Sequence, residues 1–172
     1  EKLSCLRSVP AEEMFEKMET TYRPGGTGEA LGPIVDGEVF PAPIWKRMEA
    51  GNAAGVPLIA GTTADEGTLW ASNYRDYSTE DYRSWVEQTF PDRADGVLAQ
   101  YPAGDYNAPW LAIAAILGDT AFRCPTRWAT RAHVADGHTA YHYVFSHVTP
   151  YGERNGLGAF HGSELTFVFG NF

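Results

Sequence analysis

The run from Trp110 to about Phe122 is apolar on nearly every side, broken only by Gly118 and Asp119. A helix with apolar residues all round has no face to give to water, so it must be buried, and the expected cover is a sheet. Strand signals lie on both sides of it. Val56 to Gly61 is a short apolar run, long enough for one buried strand. Thr139 to Val148 alternates Tyr141, Tyr143 and Phe145 against His142, Val144 and Ser146, which reads as a strand with an aromatic face. Strand, helices, strand in that order is the pattern of an α/β fold.

The remaining elements follow from local signals. Leu3 to about Thr20 reads as helix, with Pro10 suited to a first turn and Met14 and Met18 four apart on a packed face; Pro24-Gly25-Gly26-Thr27-Gly28 then ends it. Asp36-Gly37, between short β-branched runs, signals a hairpin turn over Ile34 to Phe40. Ile44 to Ala50 reads as a short helix stopped by Gly51. Ser78-Thr79-Glu80-Asp81 is a capping pattern that opens a helix carrying Tyr82, Trp85, Val86 and Phe90 on one face, closed by Pro91. Pro125 begins a helix that runs through Trp128, Ala132 and Val134 to Gly137. No internal repeat, low-complexity tract or long linker interrupts this order.

Composition narrows the partners. With 172 residues, 44% of them hydrophobic and 13% aromatic, the chain has the material for one domain with a sizeable core. Thirteen basic residues against 22 acidic give a net charge of −9, and no basic block breaks the sequence, so a phosphate backbone has little to hold and no nucleic-acid partner is expected. No apolar run approaches the roughly 20 residues of a membrane helix, so no membrane partner is expected either. The start, Glu1-Lys2-Leu3-Ser4, has neither an initiator Met nor a signal-peptide apolar region, so the chain is expected to be a piece of something longer. Cys5 and Cys124 are too few for a disulfide scaffold; the two could pair, or stay free or buried, and the redox compartment stays open.

Two stretches carry chemistry. In Gly158-Ala159-Phe160-His161-Gly162-Ser163-Glu164, a histidine sits between glycines in a loop, where a ring titrating near neutrality could serve as a general base. As one of five histidines it could equally be a satisfied surface residue. In Leu58-Ile59-Ala60-Gly61-Thr62-Thr63-Ala64-Asp65-Glu66-Gly67, a strand ends in a Gly/Thr turn and presents two carboxylates, the place where α/β sheets put their sites. Thr63 followed three residues later by Glu66 also fits a capping box, in which Glu66 would only close a helical turn. Trp70, Tyr74 and Tyr77 could line a pocket or simply pack. His138, His142 and His147 are close in sequence, but a strand sends the first two to one face and the third to the other, which argues against a metal site.

In combination these stretches resemble the type B carboxylesterase and cholinesterase-like branch of the α/β-hydrolases. The residues that carry the resemblance are Val56-Pro57-Leu58-Ile59 with Asp65-Glu66-Gly67, His161-Gly162-Ser163-Glu164-Leu165 with Phe167-Val168-Phe169-Gly170, Leu31-Gly32-Pro33-Ile34-Val35-Asp36-Gly37, and Asp119-Thr120-Ala121-Phe122-Arg123-Cys124-Pro125. The resemblance implies that Glu66 is the acid and His161 the base of a catalytic triad, with no cofactor and a small-molecule ester as substrate. It implies that residues 1–172 are the C-terminal-side portion of a single esterase domain: part of an α/β-hydrolase fold, comprising a portion of the central sheet and the helical cap region. It also implies that the partners of Cys5 and Cys124 lie outside the chain, which favours free or buried thiols here.

The expected nucleophile is missing. No G-x-S-x-G elbow and no Gly-rich oxyanion stretch occurs in the sequence, and since these hydrolases run nucleophile, acid, base, the serine is expected before Glu1. The isolated chain is therefore expected to be inactive, and either to bind the missing N-terminal part of the same enzyme or to self-associate through exposed strand edges and apolar helix faces. A non-catalytic cholinesterase-like adhesion module and an unrelated binding domain are the alternative readings.

Overall fold

The structure is a computed structural model that describes residues 2–13, 34–51 and 54–171. Two strands, β1 (Leu58–Thr63) and β2 (Ala140–Phe145), pair in parallel from Leu58 opposite Ala140 to Thr63 opposite Phe145. Parallel pairing requires a long crossover, and residues 64–139 supply it with helices. β1 begins later than the apolar run suggests. Pro57 has no N–H to give a ladder, and the Val56 N–H turns to the Ala54 carbonyl at 2.8 Å. β2 stops at Phe145, short of the expected Val148.

Among the described residues one long helix packs on the sheet and leaves Val144 half exposed. Helix α7 (Cys124–Ala135) is amphipathic and lies on the face that carries His142 and Val144, burying Thr130 and His133. His133 Nε2 donates to the Val56 carbonyl at 2.8 Å, which fixes the approach to β1. On the opposite face Ile59 is 72% exposed and Tyr141 63%, and among the described residues nothing covers them.

The apolar helix has a different cover from the one expected. Helix α6 (Pro109–Gly118) buries Trp110, Ala112, Ile113, Ala114 and Ile116, but against other helices rather than the sheet. Its partners are α3 (Thr68–Ala71) and α4 (Thr79–Thr89), through Ala71, Tyr82 and Val86, with Tyr74, Tyr77, Trp85 and Phe90 packed around them. These aromatics therefore serve as packing, and they supply the apolar surface that a sheet would otherwise have to provide. Full burial of side chains such as Val86 and Ile113 contributes about 1.5–3 kcal/mol each.

Local signals succeeded where the chemistry was local. Ser78 and Asp81 form the expected capping box: Ser78 Oγ accepts the Asp81 N–H at 3.1 Å, and Asp81 Oδ2 accepts the Ser78 N–H at 2.9 Å. Helix α2 (Ile44–Glu49) ends before Gly51 as expected. Two expectations need correction. The first helix, α1 (Lys2–Ser8), stops before Pro10, whose ring and missing N–H break the ladder and start a new turn at 11–13. Ile34 to Phe40 makes no hairpin: Asp36 Oδ1 accepts the N–H groups of Glu38 and Phe40 at 2.9 and 3.0 Å, an Asx-type turn with no strand on either side. Met14, Met18, the Pro24 to Gly28 stretch and Leu31 to Pro33 lie outside the described residues. Helix α5 (Ala94–Gln100) is an addition to the elements expected from the sequence.

Between α6 and α7 the backbone widens into a π-helical turn, Asp119–Arg123, so that one helical line passes from the buried core to the sheet. Cys5 and Cys124 are both free, and both are exposed, so the buried alternative does not hold.

Candidate active site

The site forms where the chain leaves β1. The Ala64 N–H donates to the Phe145 carbonyl at 2.8 Å, extending the ladder one step beyond the strand. The next residue ties this turn to the histidine loop: the Asp65 N–H donates to the Ala159 carbonyl at 3.0 Å, the Ala159 N–H donates to Asp65 Oδ2 at 2.8 Å, and Asp65 bridges to Phe160 in parallel. Thr68 Oγ1 reaches both the Asp65 carbonyl at 2.9 Å and the Leu157 carbonyl at 2.8 Å. Two glycines permit this closeness. A Cβ on Gly67 would stand 2.0 Å from the Ala114 carbonyl oxygen of α6. Gly158 has φ +64, and a Cβ there would stand 2.2 Å from Asp65 Oδ2.

The zipped loops bring Glu66 and His161 together across 95 residues of sequence. His161 Nδ1 lies 2.6 Å from Glu66 Oε2. A carboxylate can only accept, so Nδ1 carries the proton and the Nε2 lone pair faces outward. The Glu66 side chain is 5% exposed and that of His161 is 44% exposed, so a buried carboxylate orients a ring whose other edge is open. Glu66 Oε1 accepts the Thr63 N–H at 2.7 Å, which locks the carboxylate at both oxygens.

That last bond is half of a capping box. The other half is absent: the buried Thr63 Oγ1 has no hydrogen-bond partner among the described residues, and α3 starts from Gly67. Glu66 thus braces its own turn with one oxygen and the imidazole with the other. His161 is held from the side by Trp70 at 5.0 Å and Phe122 at 4.8 Å between ring centroids, and those two rings stack at 5.2 Å. These contacts fix the plane of the ring.

Ser163 is buried, at 6% exposed; its N–H donates to the Phe160 carbonyl at 3.0 Å, and its Oγ has no hydrogen-bond partner among the described residues, so it is not bonded to the imidazole. The other histidines go separate ways. His138 Nε2 lies 3.4 Å from Asp136 Oδ2, His147 packs on Phe167 at 5.1 Å, and His142 faces α7. Among the described residues no group of three or more His, Cys, Asp or Glu side chains is arranged to hold a metal ion, and no helix is long and apolar enough to cross a membrane.

Beneath the acid turn, Tyr101 OH donates to Asp119 Oδ2 at 2.8 Å, and Asp119 Oδ1 pairs with Arg123 Nη1 at 2.5 Å. Burial first, and then this bond to an anion, raise the Tyr101 phenol well above its ordinary range. Arg123 Nη2 donates to the Ala64 carbonyl at 2.8 Å.

The profile of the carboxylesterase family matches residues 1–172. The chain belongs to that family. Among its relatives, lipase 2 of Geotrichum candidum is 31% identical over 97% of this chain and 33% of its own length. Phenmedipham hydrolase of Pseudarthrobacter oxydans is 32% identical over 98% of the chain and 34% of its own. The solved structure of Aspergillus niger EstA superposes with a TM-score of 0.74 at 25% identity, covering 98% of this chain and 35% of that one. The chain therefore spans about a third of the length of the relatives it matches, and its parallel strands and helices are part of an α/β-hydrolase fold.

For a member of the carboxylesterase family, some of the site was missed in the sequence. The sequence assigns Asp65 no role of its own, yet its N–H and its carboxylate both bond Ala159 and so join the two loops, while Glu66 meets the imidazole. Phe122 and Arg123 stood inside a recognised motif without a role; their spacing from Gly118 and Asp119, across an interrupted apolar helix, was the available signal.

Proposed function

We propose that this chain carries the general base and its orienting acid for a serine carboxylesterase, with His161 as base and Glu66 as acid. The observation that carries the reading is the 2.6 Å bond from His161 Nδ1 to Glu66 Oε2, with the other edge of the ring exposed. Family membership and relatives named as a lipase and a hydrolase support ester hydrolysis as the reaction. The attacking serine and the oxyanion donors are assigned to a segment outside these 172 residues, since the sequence has no G-x-S-x-G elbow and Ser163 is buried with its Oγ bonded to no described partner. The uncovered sheet face around Ile59 and Tyr141 is where the rest of such an enzyme packs.

The chemistry is acyl transfer. Serine Oγ attacks the carbonyl carbon of a small-molecule ester while Nε2 takes its proton, and Glu66 stabilises the resulting imidazolium. The same proton then passes to the leaving alkoxide, which departs as the alcohol. Water, deprotonated by Nε2, attacks the acyl-serine; the C–Oγ bond breaks, the proton passes from Nε2 to the serine oxygen, and the acid is released. General-base help of this kind is worth about 10²–10⁴-fold.

The test is p-nitrophenyl acetate hydrolysis by the full-length protein, by its His161→Ala variant, and by the 172 residues alone. Turnover in the first and only imidazole-like background in the other two supports the reading. A stoichiometric burst from the 172 residues that vanishes in Ser163→Ala would contradict it.

A further inference from the structure

The geometry points to Arg123 as a positioning residue for the acid, acting through the backbone of the turn that carries Glu66; the inference rests on the acid and base reading above. The carbonyl of Ala64 is the first beyond the strand with no ladder N–H to donate to it. Its N–H still pairs with Phe145, but the chain turns at once, and no β2 N–H is in line for its oxygen. Arg123 Nη2 takes that place at 2.8 Å. Ala64 lies two residues before Glu66, so the orientation of its peptide sets where the Glu66 carboxylate points.

The guanidinium is itself held by a chain of bonds that reaches the core. Asp119 Oδ1 binds Nη1, Asp119 Oδ2 accepts from Tyr101 OH, and the Tyr101 carbonyl accepts from Tyr82 OH at 2.6 Å, with Tyr82 only 1% exposed. A planar fork with two donors fixed to two acceptors has one orientation, which a lysine ammonium would not reproduce.

The π-helical turn explains the placement. Its widened backbone sets Asp119 and Arg123 four residues apart with their side chains paired, and turns Phe122 the other way onto the His161 ring at 4.8 Å. One five-residue turn therefore touches both partners of the pair: Phe122 meets the base, and Arg123 meets the turn of the acid. Irregular turns of this type inside helices concentrate at functional sites. The pair tolerates little displacement, because a shift of about 1 Å in a reacting geometry costs up to roughly 100-fold in rate.

The experiment uses the full-length esterase with p-nitrophenyl acetate, comparing Arg123→Ala, Arg123→Lys, Arg127→Ala and Glu66→Gln. Arg127 is an exposed arginine on α7, in none of the bonds above. The expected result for Arg123→Ala is a fall in kcat of about tenfold or more with KM unchanged, as for an interaction expressed in the transition state. Low concentrations of guanidinium, below those that unfold the protein, should restore part of that kcat in Arg123→Ala but not in Glu66→Gln. Arg127→Ala should behave as wild type. Should Arg123→Ala fail to fold by circular dichroism, Arg123→Lys carries the test, with a smaller loss of kcat at unchanged KM. Unchanged kcat in the folded Arg123 variant while Glu66→Gln is inactive overturns the inference and leaves the acid and base reading standing. Equal losses in Arg127→Ala overturn it too. Full activity in Glu66→Gln overturns both.

Discussion

Replacing Glu66 by Gln changes one oxygen to an amide nitrogen and leaves shape and volume nearly intact, so its effect isolates what the carboxylate does. Both carboxylate oxygens accept: Oε1 takes the Thr63 N–H at 2.7 Å and Oε2 takes His161 Nδ1–H at 2.6 Å. An amide can satisfy only one of these. If its NH2 faced Thr63, two donors would meet in a buried site at a cost of about 1–3 kcal/mol. The amide therefore turns its NH2 toward His161, where it can be satisfied only if Nδ1 becomes the acceptor. The proton then moves to Nε2, and the edge that should receive the nucleophile's proton is blocked. In a serine protease whose aspartate is changed to asparagine the same tautomer error costs about 10⁴-fold in kcat, and a loss of that order is expected here. The assay is steady-state p-nitrophenyl acetate hydrolysis by the full-length Glu66→Gln enzyme, with circular dichroism to check the fold. A kcat near wild type would return Glu66 to bracing its own turn.

The other predictions test neighbouring parts of the account. Gly158→Ala forces an alanine into left-handed backbone, costing about 1–2 kcal/mol before its clash with Asp65, so thermal stability and kcat should fall together; loss of neither would show that the two loops do not depend on this approach. Because Tyr101 stays protonated in the folded state above the range where an unfolded tyrosine ionises, near about 10, stability should be intact below that pH and fall as pH rises above it toward the raised folded value. Tyr101→Phe should flatten that alkaline loss in urea titrations, and an unchanged slope would assign it to other groups. The isolated 172 residues should self-associate through the face of Ile59, Tyr141 and Tyr143, and Tyr141→Lys should reduce it; monodisperse monomer in light scattering across the micromolar range would contradict this.

The parts legible in the sequence were those whose determinants are local. Ser78 and Asp81 cap a helix wherever the chain places them, and the alternation of Tyr141, Tyr143 and Phe145 marks a strand without reference to its neighbour. The pairing of Glu66 with His161 could be named because motifs around each are specific, but the bonds that make it possible are long-range: Asp65 with Ala159, Thr68 with Leu157. Sequence periodicity carries no information on such contacts. The cover of α6 was misread for a similar reason. All-round apolarity shows that a helix is buried but not what buries it, and here α3 and α4 had apolar faces to offer. The Asp36-Gly37 turn misled in the opposite way: the turn forms, yet flanking strands need partners that a turn cannot supply.

Glu66 should set the tautomer of His161, and 15N-histidine NMR of the 172-residue chain reads that tautomer without any measurement of turnover. In its neutral form His161 should show a protonated Nδ1 with a far-downfield proton resonance and an unprotonated Nε2, and Glu66→Gln should remove that resonance and reverse the pattern while leaving the buried His133 unchanged. A His161 protonated at Nε2 in the wild-type chain, or a spectrum indifferent to Glu66→Gln, would contradict the account.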